Sequence, residues 1–105
     1  MSEKSKFENF ENTEEIELTE KLKVDMPDLG NCELQYLKTS KKDDNGDRIF
    51  GIFVIMFKDG KILDSAKTGA ITQDDNLIQT IINRLVAGTV TPCCLCEIID
   101  EMGVA

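Results

Sequence analysis

Three of the four cysteines fall within TPCCLCEIIDEMG, at Cys93, Cys94 and Cys96, and the fourth is Cys32. Cys93 and Cys96 form a C-x-x-C directly after Thr91-Pro92, a pair that marks a helix start. A thiol at a helix N-terminus is held toward the thiolate by free backbone N–H groups and the helix dipole. Such a thiolate suits thiol–disulfide exchange. Redox motifs of this kind follow a strand in a βαβ unit, whereas here the preceding segment reads as a helix. Zinc is the second chemistry that four thiolates could support. Its usual frame is two spaced C-x-x-C knuckles, and this chain has one cluster and a distant Cys32.

The third account is packing. Leu95, Ile98, Ile99 and Met102 form an apolar stripe. Cys94 lies four residues before Ile98 and Cys96 three before Ile99, so both border that stripe. Cys93 lies four before Glu97 and should face water. A free cysteine packs as a small hydrophobe. The expectation is therefore a structural helix with an exposed Cys93. Cys93 and Cys96 are the reactive-thiol candidates, with no metal and no cofactor.

Other chemistry finds little support. The chain has no histidine, so Ser/Thr or Cys nucleophiles would lack the usual base. It has no phosphate-cradling glycine loop. DDNGD (43–47) lacks the ligand order and closing Glu of a calcium loop, and reads as a hairpin tip. No catalytic residue emerges, and the expectation is a protein that is not an enzyme.

The net charge is −8 over 105 residues. The net negative charge gathers toward both ends: residues 71–105 carry five acids and a single base, Arg84. Such a balance repels phosphate backbones, so nucleic-acid binding is not expected, although an acidic surface can mimic one. The charged start MSEKSKFENFENTEE does not read as a signal peptide. The longest apolar run, IFGIFVIMF, is about half a membrane span. A cytoplasmic location with reduced thiols is the expectation.

The elements that would position any site read as follows. Residues 1–14 are expected to be a mobile acidic tail with Phe7 and Phe10 as its apolar anchors. Residues 15–105 form one domain. EIELTEKLKV (15–24) alternates, with Ile16, Leu18, Leu22 and Val24 on one face and Glu20 as a break, which predicts a half-buried strand. Residues 32–68 predict two hairpins turning at Asn45-Gly46 and Asp59-Gly60. Two-residue turns would set Tyr36 opposite Ile55, Leu34 opposite Phe57 and Phe57 opposite Ile62. One face then collects Leu34, Tyr36, Phe53, Ile55, Phe57 and Ile62 and is expected to carry the helices. Residues 72–88 and 91–103 predict the two helices, capped by Thr72 and Thr91 and stopped by Gly88 and Gly103. The fold class is α+β: a four-stranded antiparallel meander with two helices on one face, ββββαα.

The central strand is apolar on both sides, and two helices cover one side only. Leu37, Ile52, Val54, Met56 and Leu63 are therefore expected to form a protein interface, covered by the tail, a second copy or a partner. The functional expectation is a small acidic accessory or inhibitor-like protein that binds another protein or a copy of itself, of the kind phages and mobile elements encode. The alternative is a thiol-redox or zinc-binding protein centred on Cys93 and Cys96.

Overall fold

The computed structural model describes residues 14–102. The expected mobile tail, apart from Glu14, and the stop at Gly103 lie outside the described residues. Four strands run β1 (Glu15–Met26), β2 (Gly30–Lys42), β3 (Arg48–Lys58) and β4 (Lys61–Lys67). They form one antiparallel sheet in chain order. Helices α1 (Asp75–Ala87) and α2 (Leu95–Met102) follow, the second entered through a 3-10 turn at Pro92–Cys94. This is the ββββαα arrangement that the alternating and 3.6-residue apolar patterns predict.

The register differs from expectation by one residue, and that residue inverts the central strand. Tyr36 faces Val54, not Ile55, and Leu34 faces Met56, not Phe57. The cause is the β2–β3 turn. Pairing ends at Lys42 and Arg48, which leaves a loop with an odd number of central residues instead of a two-residue turn. The Asp43 carboxylate accepts from the N–H of Asn45 and of Asp47, each at 2.9 Å. Gly46 takes the left-handed conformation at φ 85° and donates to the Asp43 carbonyl at 3.0 Å. The turn thus closes around a side chain, and Asn45 does not adopt positive φ. A one-residue slip sends every side chain of a strand to the opposite face.

The β3–β4 turn is as expected. Asp59 and Gly60 both have positive φ, and Phe57 faces Ile62. A bulge between Met56 and Phe57 then sets Met56 opposite Asp64, so Leu63 has no cross-strand partner. A second bulge lies between Leu18 and Glu20 of β1. It explains the break in alternation at Glu20. Leu22, Val24 and Met26 turn toward the helices and pack on the core. Ile16 and Leu18 fall on the other face, 50% and 44% exposed.

The core therefore joins Leu34, Tyr36, Phe50, Ile52, Val54 and Met56 of the sheet to Ile78, Ile81, Ile82 and Leu85 of α1 and Leu95 and Ile99 of α2. Burying each large side chain is worth about 1.5–3 kcal/mol. Ile52, Val54 and Met56, expected at a protein interface, are instead part of this core. Phe53, Ile55 and Phe57, expected beneath the helices, lie on the opposite face.

Tyr36 ties the layers together. Its ring is fully buried and its hydroxyl donates to the Val90 carbonyl at 2.9 Å, in the link between the helices. Burial pushes the Tyr36 pKa up to about 12. The folded chain holds this proton more tightly than the unfolded one, so ionisation favours unfolding. Stability should be insensitive to this group below pH 10 and fall between about pH 10 and 12. Tyr36→Phe should shrink that alkaline loss, leaving the part due to Lys38. The Lys38 ammonium is raised mainly by its hydrogen bond to Asp75 of α1, at 2.8 Å. Its contribution is present at lower pH and fades as the ammonium deprotonates. Chemical denaturation at a series of alkaline pH values checks both statements.

Helix α1 starts two residues later than Thr72 suggests, because Asp74 is the better acceptor. Its carboxylate takes the N–H of Asn76 at 2.9 Å and of Leu77 at 3.3 Å. At the far end Gly88 is the cap, but the left-handed residue is Thr89, at φ 51°. Val90 N–H reaches the Leu85 carbonyl at 3.0 Å and Thr89 N–H that of Val86 at 3.1 Å, a Schellman closure. A β-branched residue is strained there. Thr89→Gly should raise stability by about 1 kcal/mol, readable as a higher denaturation midpoint with unchanged slope.

Candidate functional site

Two features could carry function: the thiols at the start of α2 and the sheet face opposite the helices. At the thiols, Pro92 occupies the first position of the 3-10 turn and is buried, which anchors the segment. Thr91 supplies no side-chain cap to the backbone. Its hydroxyl lies 3.3 Å from Cys93 Sγ instead. Cys93 is exposed as expected, and its sulfur sits 3.8 Å from that of Cys94, which is half-buried. Cys96 is exposed, although its spacing suggested the edge of the buried stripe. The reason is its angle within α2: Cys96 is one residue, about 100°, beyond the buried Leu95, outside the stripe that Leu95, Ile98, Ile99 and Met102 form.

Cys32 lies in β2 opposite Val24 of β1 and is buried in the core, 4% exposed. Among the described residues no three side chains of metal-binding type come together to hold an ion. Alkylation should therefore modify Cys93 and Cys96 first, Cys94 more slowly, and Cys32 only on unfolding. Mass mapping after brief iodoacetamide treatment reads that order.

The open sheet face is built by the register. Leu37 faces Phe53 and Leu18. Ile55 faces Gln35 and Ser65, and Phe57 faces Ile62. Leu37, Phe53, Ile55 and Phe57 thus make a continuous apolar band across β2 and β3. Leu37 is 9% exposed and the three β3 residues are half-buried. Ile16, Leu18 and Ile62 extend the band to both sheet edges, and Ile62 is 60% exposed. Of the five residues expected at the interface, Leu37 lies in this band. Leu63 sits at the bulge, 45% exposed. The other three are in the core.

Charges frame the band asymmetrically. Lys21 and Lys23 fall on the open face beside Gln35 and Glu33. Lys67 falls on it beside Phe53 and binds Glu14. Gln35 donates to Glu33 at 2.7 Å. Near the β1–β2 and β3–β4 turns a groove of about 720 Å³ opens, lined by Lys23, Asn31, Glu33, Gln35, Phe57 and Asp59. It holds no converging set of acid, base and nucleophile.

The signals that could have found the band were present. The Thr19-Glu20 break implied a bulge that sends Ile16 and Leu18 to the far face. Asp43, two residues before Asn45, offered the carboxylate that lengthens the turn.

No helix among the described residues is long and apolar enough to cross a membrane. Residues 8–104 match the profile of DUF6514, a family of unknown function, and the chain belongs to that family. No curated protein and no solved structure matches it.

Proposed function

We propose that this chain is a non-enzymatic cytoplasmic protein that works by binding another protein, or a second copy of itself, through the open face of its sheet. The observation that carries this reading is the apolar band of Leu37, Phe53, Ile55 and Phe57 on the side away from both helices. A band of that kind, rimmed by lysines and by polar residues, has the composition of a contact surface more than that of a ligand pocket. The aromatic pair Phe53 and Phe57 would supply its anchors. The acidic surface, at net −8, suits an accessory or inhibitor-like partner of a basic protein and discourages contact with nucleic acid. Phage- or mobile-element-encoded inhibitors are of this size and charge.

The experiment compares wild type with Phe53→Asp and Ile55→Asp. Both variants should fold by circular dichroism, yet lose self-association in sedimentation and lose the proteins retained by immobilised wild type. If both variants fold and keep mass and partners unchanged, the band is not the binding surface.

A second reading is favoured by one observation, the exposure of both Cys93 and Cys96 at the start of α2. A thiol-exchange protein would lose its activity toward a dithiol substrate in Cys93→Ser, and the sheet-face variants would leave that activity intact.

A further inference from the structure

The three thiols at the start of α2 are not equivalent. Cys93 and Cys96 are exposed, Cys94 is half-buried, and the sulfurs of Cys93 and Cys94 lie 3.8 Å apart. That contact is close, yet it is a poor precursor of a bond. Adjacent Cα atoms stand about 3.8 Å apart across a trans peptide, whereas a disulfide needs about 4.4–6.8 Å. Closing Cys93 onto Cys94 would distort the chain between Pro92 and Leu95, both of them buried.

Cys96 is the better partner. It lies one turn beyond Cys93, across the junction of the 3-10 turn and α2. Cα atoms three residues apart are about 5 Å apart in an α-helix and about 6 Å in a 3-10 helix. Either winding puts this pair inside the disulfide range. Side chains at that spacing are neighbours on one face. The Cys93 sulfur now touches the Thr91 hydroxyl at 3.3 Å and the Cys94 sulfur. Because Cys93 and Cys96 are both exposed, turning one sulfur toward the other displaces nothing in the core.

We propose that Cys93 and Cys96 are a reversible disulfide pair, oxidised by a small-molecule disulfide of the glutathione type, and that the bond clips the first turn of α2. The thiolate of one exposed cysteine attacks the small disulfide, breaks its S–S bond and expels one thiolate. The other cysteine, as thiolate, attacks the protein sulfur of the mixed disulfide, forms the Cys93–Cys96 bond and expels the second. Two protein thiols are oxidised, one small disulfide is reduced to two thiols, and the two protons pass to them. The bond spans Leu95, which is fully buried. Helix α2 has only eight residues, a length that is marginal without packing, so a covalent clip there resists its opening. The proposal does not depend on the sheet-face function. It also goes beyond the thiol-exchange reading, since the chain itself is oxidised and no dithiol need be turned over.

The test incubates the full chain in mixtures of reduced and oxidised glutathione, quenches with acid and weighs the products. Wild type should lose two hydrogens, regain them with dithiothreitol, and show no covalent dimer on a non-reducing gel. Cys94→Ser should behave in the same way. Cys93→Ser and Cys96→Ser should form no internal bond and should each keep a glutathione adduct on the remaining exposed cysteine. Amide exchange in α2 should slow severalfold on oxidation. An internal bond that survives in Cys93→Ser or Cys96→Ser, or is lost in Cys94→Ser, would overturn the pairing. So would a wild type that yields only glutathione adducts or covalent dimers. Unchanged exchange in the oxidised chain would overturn the clip. Bond formation is read stoichiometrically, whereas thiol exchange requires catalytic turnover of a dithiol, so the two readings can fail separately.

Discussion

Val54→Asp should abolish cooperative folding. Val54 is fully buried at the centre of β3, facing Tyr36 on one side and Ala66 on the other, beneath the helices. A carboxylate placed there loses its water and gains no partner. An uncompensated buried charge costs about 3–5 kcal/mol. Lost packing adds to this, and a domain of this size has only about 5–15 kcal/mol in total. The next residue behaves differently. Phe53 lies on the opposite face and is half-buried, so Phe53→Asp costs at most about 2 kcal/mol. Thermal melts of the two variants check the contrast. A cooperative melt for Val54→Asp with loss of folding in Phe53→Asp would mean the helices lie on the other face.

The second large effect is Gly51→Ala. Gly51 sits in β3 opposite Thr39. An added Cβ would stand 2.6 Å from the Gly69 carbonyl oxygen and 2.8 Å from Thr39 Oγ1. Neither neighbour can easily yield. Gly69 is backbone, in the segment where Thr68 takes over as β3's partner: Ile52 N–H donates to Thr68 Oγ1 at 3.0 Å, and Thr68 N–H to the Ile52 carbonyl at 2.9 Å. Thr39 is 2% exposed. Overpacking at such a site costs about 1–3 kcal/mol, and the upper part of that range is expected because a backbone carbonyl must move. The melting temperature should drop by about 10 °C. An unchanged melt would show that the chain after β4 does not cross close to Gly51.

These two sites show why part of the fold is readable from sequence and part is not. The helices are legible because each signal has one interpretation. Ile78, Ile81, Ile82 and Leu85 form a stripe at helical spacing, Gly88 ends it, and Pro92 can only begin the next. The Asp59-Gly60 turn is legible for the same reason, since both residues tolerate positive φ. The strand order follows from three short connections.

The register does not follow. IFGIFVIMF offers Phe50, Ile52, Val54 and Met56 to one face and Phe53, Ile55 and Phe57 to the other, and either set could fill a core. Hydrophobic burial, the largest force favouring the fold, barely distinguishes the two. The decision falls to the Asp43 carboxylate, whose two hydrogen bonds lengthen the turn by one residue, and to Gly51, which alone suits the approach of Gly69. These are small local interactions, and their consequence is large because the side-chain period of a strand is two. The expected interface was inverted for that reason. In either register β3 is apolar on both sides, and the helices cover one.

The thiols divide the same way. Exposure of Cys93 followed from its spacing to Glu97, whereas Cys96 was placed by its spacing to Ile99 when its angle from Leu95, about 100° within the same helix, decides its exposure.

The assignment of the contact surface depends on a single cross-strand pairing. Backbone NOEs across the β2–β3 ladder of the full-length chain report it directly. The structure predicts that Tyr36 pairs with Val54 and Leu34 with Met56, which leaves Phe53, Ile55 and Phe57 on the face away from the helices. Pairing of Tyr36 with Ile55 and of Leu34 with Phe57 would contradict it and return Ile52, Val54 and Met56 to the open face.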